Sequence, residues 1–346
     1  MTLIAQHDKE ETVKNVKIIP LVKPGNRFQR MTKNAWHIYR KAVATNADIY
    51  HFHDPELITV GIMLKLFGKK VIYDVHEDYS EAILYKEWIP LNMRKIIAFF
   101  SNSFEKSLAR FFDGIVVVTN LIGSRFISAK TKNVIEVKNF PLSHQIAAQE
   151  FSVPWKDREN IVVFIGSISK VRGIKEMISA MNLLPKERNI KLILAGNFTS
   201  VSLAEEIRCE PGWDRCEHVG YVHFKDSLKF FGQARMGFVL THPVANLRNG
   251  LPVKLFEYMN AGIPVIASDF PLWREIIEKA GCGICVNPLN PEAIAEAIIH
   301  LIEHPAESEA MGMRGRKAVE EIYNWDMEEK KLLNFYNTLS VNSENY

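Results

Sequence analysis

One stretch in the last third of the chain combines a residue type that binds phosphate with a residue type that binds hydroxyl groups. Gly250 permits a tight turn, Pro252 suits the first position of a helix, and residues 254–259 have helical character. Unpaired backbone N–H groups at the start of such a helix favour an anion. Lys254 and Glu257 lie three residues apart and therefore share one face of the helix. These residue types predict a phosphate beside the ammonium and hydroxyl groups beside the carboxylate, although the same two side chains could form an ordinary surface ion pair.

A second candidate lies in the first half of the chain, where His76 follows a predicted strand within Asp74-Val75-His76-Glu77-Asp78. Loops that follow the carboxyl ends of parallel strands form the ligand sites of open α/β sheets. This histidine could therefore contact a substrate, or it could pair with the neighbouring carboxylates in solvent. The sequence leaves both interpretations open.

Strand-like runs alternate with helix-length segments along most of the chain, which is typical of parallel sheets built from strand–helix–strand crossovers. The predicted strands are 48–52, 70–74, 114–119, 134–137, 161–165, 191–195, 219–221, 236–240 and 264–267. Continuous apolar runs of this kind indicate sheets covered by helices on both faces. The predicted fold class is α/β, with two Rossmann-like domains that face each other across a cleft.

The two halves are separated by a polar stretch, 139–157, which has neither a strand nor a clear helical period and is interpreted as the linker. The N-terminal domain is predicted over 1–145 and the C-terminal domain over 155–325. Residues 326–346 predict a closing helix that packs back on the N-terminal domain. A length of 346 residues agrees with two domains and excludes one small module.

The composition, with 47% hydrophobic and 24% charged residues, excludes collagenous, disordered and disulfide-scaffold classes. A net charge of +3 excludes nucleic-acid binding by bulk charge. Cys282 and Cys285 form a C-x-x-C pair, but their neighbours predict a turn and a short buried strand more readily than a zinc site. The sequence has neither a secretory signal nor an apolar run that could span a bilayer, so a cytoplasmic location is expected, with any membrane contact peripheral.

Several segments together resemble the retaining, nucleotide-sugar-dependent GT-B glycosyltransferases of family four, of the type that makes bacterial polysaccharides. Residues 249–269 are similar to the donor-binding signature of that family, and 164–173 to its first donor-domain strand and phosphate loop. Residues 51–57 and 73–78 are similar to its acceptor-domain motifs. Shorter similarities occur at 281–284 and 323–325. The resemblance covers nearly the whole chain, and its motifs are strong together and weak singly.

The resemblance also implies roles for individual residues. Glu257 would bind the ribose hydroxyls, and Asn249 stands where the family usually has the first Glu of a Glu–seven residues–Glu motif, which contacts the donor sugar. That uncharged residue leaves the identity of the donor open. Ser167 stands where the family has an Arg and Arg172 where it has a Lys, so Lys254 is expected to supply the second positive charge.

The resemblance predicts three sets of site residues. The predicted donor-binding residues are Gly166, Ser167, Arg172, Gly220, Tyr221, Asn249, Gly250, Leu251, Pro252, Lys254 and Glu257. The predicted catalytic residues are His76, Arg172 and Lys254, and the acceptor-side candidates are His53, Asp54 and Glu77. Recognition of the base is expected to use backbone groups near Gly220.

The resemblance implies a sugar transfer that proceeds on one face of the sugar. The leaving phosphate oxygen helps to take the proton from the acceptor. The protein's main task is then to stabilise negative charge on the diphosphate. No cofactor and no metal are expected, because the sequence lacks an Asp-x-Asp pair and cationic side chains can replace the ion. The expected partners are a UDP- or GDP-sugar and a glycan or lipid-linked acceptor in capsule, O-antigen or exopolysaccharide synthesis.

Three other functions were weighed against glycosyl transfer. A non-catalytic nucleotide-sugar-binding subunit that needs a partner chain is the main alternative. A sugar-nucleotide epimerase of the same two-domain plan is less favoured, because such enzymes resemble other signatures. An NAD-dependent dehydrogenase is disfavoured, because no Gly-x-Gly-x-x-Gly follows any predicted strand.

The segment 86–110 carries five basic and two acidic residues, a net charge equal to that of the whole chain. Large apolar residues, among them Trp88, Phe99 and Phe100, are interleaved with these cations. The pattern fits an interfacial segment that touches anionic lipid or a lipid-linked acceptor. An amphipathic helix with its apolar side in the core fits equally well.

Members of the resembled family open with a strand, a Gly-rich loop and a helix, roughly 35–40 residues, before the region equivalent to Thr2–Gln6. The chain shows no such unit, so the N-terminal domain is expected to be incomplete. A truncated gene, a partner subunit that completes the domain and a weakly active protein are the three explanations.

Overall fold

The computed structural model describes residues 1–86, 89–129, 131, 133–142 and 153–341. The chain forms two compact units. The first comprises Met1–Lys138 together with the chain from Glu329 onward, and the second comprises Asn139–Glu328. Among the described residues, every helix is too short or too polar to cross a lipid bilayer.

The first unit contains two sheets. The strands are β1 (Thr2–Gln6), β2 (Glu11–Val13), β3 (Val16–Leu21), β4 (Ile49–Phe52), β5 (Lys70–Val75), β6 (Gly114–Val117) and β7 (Val134–Glu136). The smaller sheet has the order β1-β3-β2, in which β1 and β3 are parallel and β2 and β3 are antiparallel. The larger sheet, β4-β5-β6-β7, is parallel throughout.

Helices surround the larger sheet of the first unit. They are α1 (Arg27–Gln29), α2 (Ala35–Thr45), α3 (Ile58–Leu66), α4 (Tyr79–Leu84), α5 (Leu91–Ala109), α6 (Asn120–Ile127) and the last helix of the chain, α15 (Trp325–Val341). One core cluster joins β5 and β6 to Phe112, Phe126 and apolar residues of α3. The burial of β5 and β6 explains their continuous apolar sequence, since side chains on both faces of these strands are covered.

The closing helix α15 packs against the start of β6. A Cβ atom at Gly114 would lie 2.3 Å from Cζ of Phe335, so only glycine allows this approach. Phe335 and Leu339 are buried. Lys70 donates a hydrogen bond to the carbonyl of Leu339, which adds a polar contact between β5 and the helix.

The second unit is built on one sheet of six parallel strands. These are β8 (Ile161–Ile165), β9 (Lys191–Ala195), β10 (Cys216–Gly220), β11 (Met236–Val239), β12 (Val265–Ser268) and β13 (Gly283–Val286), in the order β10-β9-β8-β11-β12-β13. The helices are α7 (Ile174–Leu183), α8 (Val201–Arg208), α9 (Phe224–Gln233), α10 (Ala245–Arg248), α11 (Val253–Asn260), α12 (Pro271–Ala280), α13 (Pro291–Glu303) and α14 (Pro305–Glu321). Two hydrophobic clusters contain residues of these helices and of alternate positions on the strands, so helices cover both faces. The strand order reverses between β8 and β11, which is where open parallel sheets bind ligands.

The structure departs from the sequence expectations in two places. The hairpin of β2 and β3 is not among the predicted strands, and β3 contains Pro20, a residue that is rare within strands. The turn of the hairpin uses Lys14 and Asn15, both with positive φ, at 47° and 64°. Helix α11 begins at Val253 with Pro252 as its N-cap, one residue later than predicted.

The C-x-x-C pair lies in the predicted turn and short strand. Cys282 is buried and Cys285 lies in β13. Leu251, which precedes the N-cap of α11, packs against the core of the second unit.

Candidate functional site

The loop after β8 forms the floor of the predicted donor site. Ile165 is in register with Ala195 at the carboxyl ends of β8 and β9, and the N–H of Gly166 donates to the Ala195 carbonyl at 2.8 Å. Gly166 has a φ of 134°, a conformation that favours glycine. A Cβ at Gly196 would lie 1.9 Å from the carbonyl oxygen of Gly166, so the loops after both strands pass very close together. Ser167 is exposed beside them.

Helix α11 brings Lys254 to this loop. The backbone N–H of Ile165 donates to the hydroxyl of the buried Tyr258 at 3.0 Å, which ties the helix to the end of β8. The Nζ atom of Lys254 lies 3.9 Å from the ring centre of Phe164. It also lies 3.2 Å from the position that a Cβ on Gly166 would occupy. The structure therefore places the predicted ammonium directly against the predicted phosphate loop.

Two cations share the site. Burial and, to a smaller extent, the positive charge of Arg172 lower the pKa of Lys254 to about 7, while Glu257 acts in the opposite direction. Burial also lowers the pKa of Arg172 and raises that of Glu257. Within the described residues, neither cation has a carboxylate oxygen within 4.0 Å. Lys254 and Arg172 are thus two cationic groups without a close ion pair in the described part of the chain, and a bound diphosphate would stabilise their charged forms.

The turn that carries Arg172 is held by the end of β11. The N–H of His242 and the hydroxyl of Thr241 donate to the carbonyl of Val171 at 2.7 and 2.8 Å. His242 Nε2 lies 3.0 Å from the Glu176 carboxylate. Sequence reasoning missed these residues, although their position directly after a parallel strand could have identified them.

The remaining predicted donor residues lie on neighbouring loops of the same unit. The Trp273 indole N–H donates to the carbonyl of Gly250 at 2.7 Å, which fixes the loop between α10 and α11. Asn249, at the end of α10, is exposed. Gly220 ends β10 with a φ of 73°, and Tyr221 after it is 66% exposed. Because Gly220 is in register with the last residue of β9, these loops lie at the same edge of the sheet as Gly166.

The first unit gathers a second group of side chains, the histidine cluster of His51, His53, Asp74 and His76. His51 lies on β4 and Asp74 on the neighbouring β5, and the other two histidines directly follow these strands. Oδ2 of Asp74 lies 3.1 Å from Nε2 of His51, 3.2 Å from Nδ1 of His53 and 3.5 Å from Nε2 of His76. His53 Nδ1 and His76 Nε2 are 2.8 Å apart. His76 therefore faces a buried carboxylate rather than a set of solvated acids.

The environment of the cluster shifts two pKa values. Burial raises the pKa of Asp74, but hydrogen bonds with His51 and His53 outweigh it and hold that pKa well below its ordinary value. The hydrogen bond with Asp74 raises the pKa of His53. The other nitrogen of the His51 ring, Nδ1, lies 2.6 Å from the hydroxyl of Tyr336 on α15.

The other acceptor-side candidates lie outside the cluster. Asp54 pairs with Arg30 at 3.3 Å, and Glu77 is exposed. Asp78 accepts the Glu81 N–H as the N-cap of α4. The roles proposed for these residues and for the donor residues stay predictions.

Two groups of side chains in the described ranges have the ligand types and the spacing to hold a metal ion. One consists of His51, His53 and Asp74, and the other of His300, His304 and Glu307. In each group the candidate ligand atoms lie within 4.8 Å of one another. The second group is largely exposed on the surface of α13 and α14.

Helix α5 presents its large apolar side chains to solvent. Phe99 and Phe100 are each 66% exposed, and Leu91 is 77% exposed. The buried residues of the helix include Ala98 and the acidic Glu105 instead. The expectation of an apolar side in the core is therefore wrong for these three large residues. Trp88, which the sequence analysis placed in the same segment, lies outside the described residues.

Both halves of the chain match known protein families. Residues 145–318 match the family described as Glycosyl transferases group 1, and residues 1–137 match Glycosyltransferase Family 4. The capsular polysaccharide biosynthesis glycosyltransferase CapM of Staphylococcus aureus is 25% identical over 62% of this chain and 55% of its own length. The chain spans about half the length of curated relatives that it matches, 46% and 55% in two cases.

Solved structures share the fold. Sucrose-phosphate synthase from Thermosynechococcus elongatus has a TM-score of 0.74 at 18% identity, over 98% of this chain and 89% of that one. Anabaena HepE in complex with UDP has a TM-score of 0.70 at 14% identity, over 93% and 86%. The predicted fold class is confirmed: the chain is an α/β protein with two Rossmann-like domains, as in GT-B glycosyltransferases.

Proposed function

Because the chain belongs to the Glycosyl transferases group 1 family, we propose that it is a retaining glycosyltransferase. It transfers a sugar from a UDP- or GDP-sugar to a glycan or lipid-linked acceptor in cell-surface polysaccharide synthesis. The name of CapM supports the polysaccharide role, and the UDP bound to HepE supports a nucleotide-sugar donor. The single observation that carries the proposal is the position of Lys254 against the Gly166 loop, close enough to Arg172 to feel its charge and, among the described residues, without a close carboxylate.

In the proposed reaction the donor diphosphate lies at the Gly166 loop and Glu257 accepts hydrogen bonds from the ribose hydroxyls. The bond between the sugar carbon and the phosphate oxygen breaks, the acceptor oxygen bonds to that carbon on the same face, and the acceptor proton goes to the leaving phosphate. Lys254 and Arg172 stabilise the charge that develops on this phosphate. Each charge-assisted contact contributes about 1.5–3 kcal/mol, so the side chains can perform this task without a metal ion.

The test is turnover with a panel of UDP- and GDP-sugars, measured as transfer and as donor hydrolysis. Lys254→Met should lower kcat/KM strongly, whereas Lys279→Met, which removes an exposed lysine at the end of α12, should leave it unchanged. His76→Ala tests the predicted contact with the donor sugar. Turnover that is equal in the Lys254 and Lys279 variants would contradict the proposed site.

A non-catalytic binding subunit is the second candidate function. It is favoured by one observation, the uncharged Asn249 at the position where the resembled family carries a carboxylate. Calorimetric binding of a nucleotide sugar without any turnover across the panel would support this function over catalysis.

We further propose that α5 contacts an anionic membrane surface, which would bring the protein to a lipid-linked acceptor. Exposed phenylalanines lie beside basic residues such as Lys95 and Lys106 on this helix, a combination that favours the interface of anionic bilayers. Flotation with phosphatidylglycerol vesicles should be lost in Phe99→Ser/Phe100→Ser. The matched control is Leu66→Ser/Phe67→Ser, which removes two apolar side chains at the end of α3 that are 82% and 70% exposed. Equal flotation of both variants would argue against contact through α5.

A further inference from the structure

The histidine cluster directs three imidazole nitrogens at one carboxylate oxygen, an arrangement that the transfer reaction does not require. The distances to Oδ2 of Asp74 are 3.1, 3.2 and 3.5 Å, and two of the imidazole nitrogens are 2.8 Å apart. Neutral imidazole nitrogens and carboxylate oxygens are the preferred ligands of zinc and similar ions. The cluster therefore contains four candidate ligand atoms, of which those of His51, His53 and Asp74 all lie within 4.8 Å of one another.

The distances of the three imidazole nitrogens from Asp74 are close to those of tetrahedral coordination. Zinc bonds of about 2.0–2.2 Å place the ligand atoms of a tetrahedron about 3.3–3.6 Å apart. The distances from Asp74 Oδ2, 3.1, 3.2 and 3.5 Å, differ from this range by at most a few tenths of an ångström. The 2.8 Å between His53 Nδ1 and His76 Nε2 is shorter than the range, and small rotations of the two rings would lengthen it. Both of these side chains are partly exposed, at 58% and 40%, so the cluster is open to solvent.

The carboxylate at the centre is rigidly placed and incompletely paired. Asp74 is only 7% exposed, and within the described residues its Oδ1 atom is buried without a hydrogen-bond partner. A cation at Oδ2 would offset the burial of this charge. On the far side of the cluster, Nδ1 of His51 lies 2.6 Å from the Tyr336 hydroxyl, which leaves Nε2 directed at the carboxylate. Such outer contacts orient the histidine ligands of metal sites.

We propose that the histidine cluster binds a divalent transition-metal ion of the zinc class, with three imidazole nitrogens and one carboxylate oxygen as ligands. The proposed transfer reaction needs no metal, and the occupancy of this site does not depend on that reaction, but the site shares His76 with it. An ion that engages Nε2 of His76 would remove the side chain predicted to contact the donor sugar. Zinc is therefore expected to inhibit transfer.

The test is titration of the purified full chain with Zn²⁺ against a chromophoric chelator, followed by Co²⁺, whose visible spectrum reports four-coordinate geometry. The proposal expects saturable binding with an intense Co²⁺ spectrum. His53→Ala and His76→Ala, both at partly exposed positions, should each weaken Zn²⁺ binding by more than the roughly 10–100-fold that the loss of an outer contact costs. Tyr336→Phe should weaken it by about 10-fold, the effect of losing an outer contact.

The matched control is the variant His300→Ala/His304→Ala, which removes the other group with metal-ligand spacing. It should retain the tight site and its Co²⁺ spectrum. Circular dichroism of each variant checks that the fold is intact. The proposal is overturned if wild type shows no saturable binding, if His53→Ala and His76→Ala bind as wild type does, or if the control removes the tight site. Because binding is the readout, loss of transfer activity alone would not decide the question.

Discussion

The affinity for a nucleotide sugar should fall as the pH rises through the pKa of Lys254. That pKa is about 7 in the free protein, because burial and the charge of Arg172 disfavour the ammonium. A bound diphosphate stabilises the ammonium, so binding takes up a proton wherever the free side chain is neutral. If only the charged form binds, the apparent Kd scales inversely with the charged fraction, about nine-tenths at pH 6 and one-tenth at pH 8. Affinity should therefore fall about tenfold, or about 1.4 kcal/mol, between these pH values.

Isothermal titration calorimetry with UDP-glucose or GDP-mannose measures this effect, since neither donor has a phosphate group that titrates in this range. Repeating the titration at pH 8 in two buffers of different ionisation enthalpy counts the protons, and we expect uptake of nearly one. Lys254→Met should bind weakly and with little dependence on pH, whereas Lys279→Met should follow wild type. An equal affinity of wild type at pH 6 and pH 8, without proton uptake, would refute the assignment of Lys254 to the phosphate site.

The same pKa predicts the opposite trend for the stability of the unliganded protein. Above about pH 7 the folded state has released the Lys254 proton, while the unfolded state keeps it until about pH 10.4. The unfolded state binds more protons in this window, so the contribution of Lys254 to the free energy of unfolding rises with pH. Urea unfolding at pH 6 and pH 9 should show this rise as a difference between wild type and Lys254→Met. A difference that does not change with pH would contradict it.

Three further substitutions test the structure. Gly114→Ala should lower the free energy of unfolding by about 1–3 kcal/mol, because the added methyl group meets Phe335, and urea denaturation measures it. Tyr258→Phe should lower the free energy of unfolding by about 1–3 kcal/mol, because the N–H of Ile165 loses its hydroxyl acceptor. A free energy of unfolding equal to that of wild type would contradict the role of this hydrogen bond. Asn249→Glu places a carboxylate at the position predicted to face the donor sugar, so it should change the ratio of kcat/KM between donors. An unchanged ratio across the panel would show that Asn249 does not contact the sugar.

The sequence by itself determined the local features of the protein. Apolar runs with turn residues at their ends predict both the first and the last residue of β8 and β9 correctly, because burial on both faces of a strand requires continuous apolar side chains. The spacing of Lys254 and Glu257 on one helical turn predicts a phosphate site, and the resemblance to the family adds the Gly166 loop to that prediction. Motifs spread along the chain were sufficient to identify the family.

Only the tertiary structure decided which distant residues meet. Asp74 gathers three histidines because β4 and β5 are parallel neighbours with matched carboxyl ends, and this register is not encoded in either strand alone. Tyr336 reaches His51 because the last helix returns to the first unit, 285 residues along the chain. The exposure of Phe99 and Phe100 was likewise undecided, because an amphipathic pattern indicates that one face is apolar but not what that face contacts. Periodicity follows from local backbone geometry, whereas convergence of side chains depends on strand order, register and the path of the crossovers.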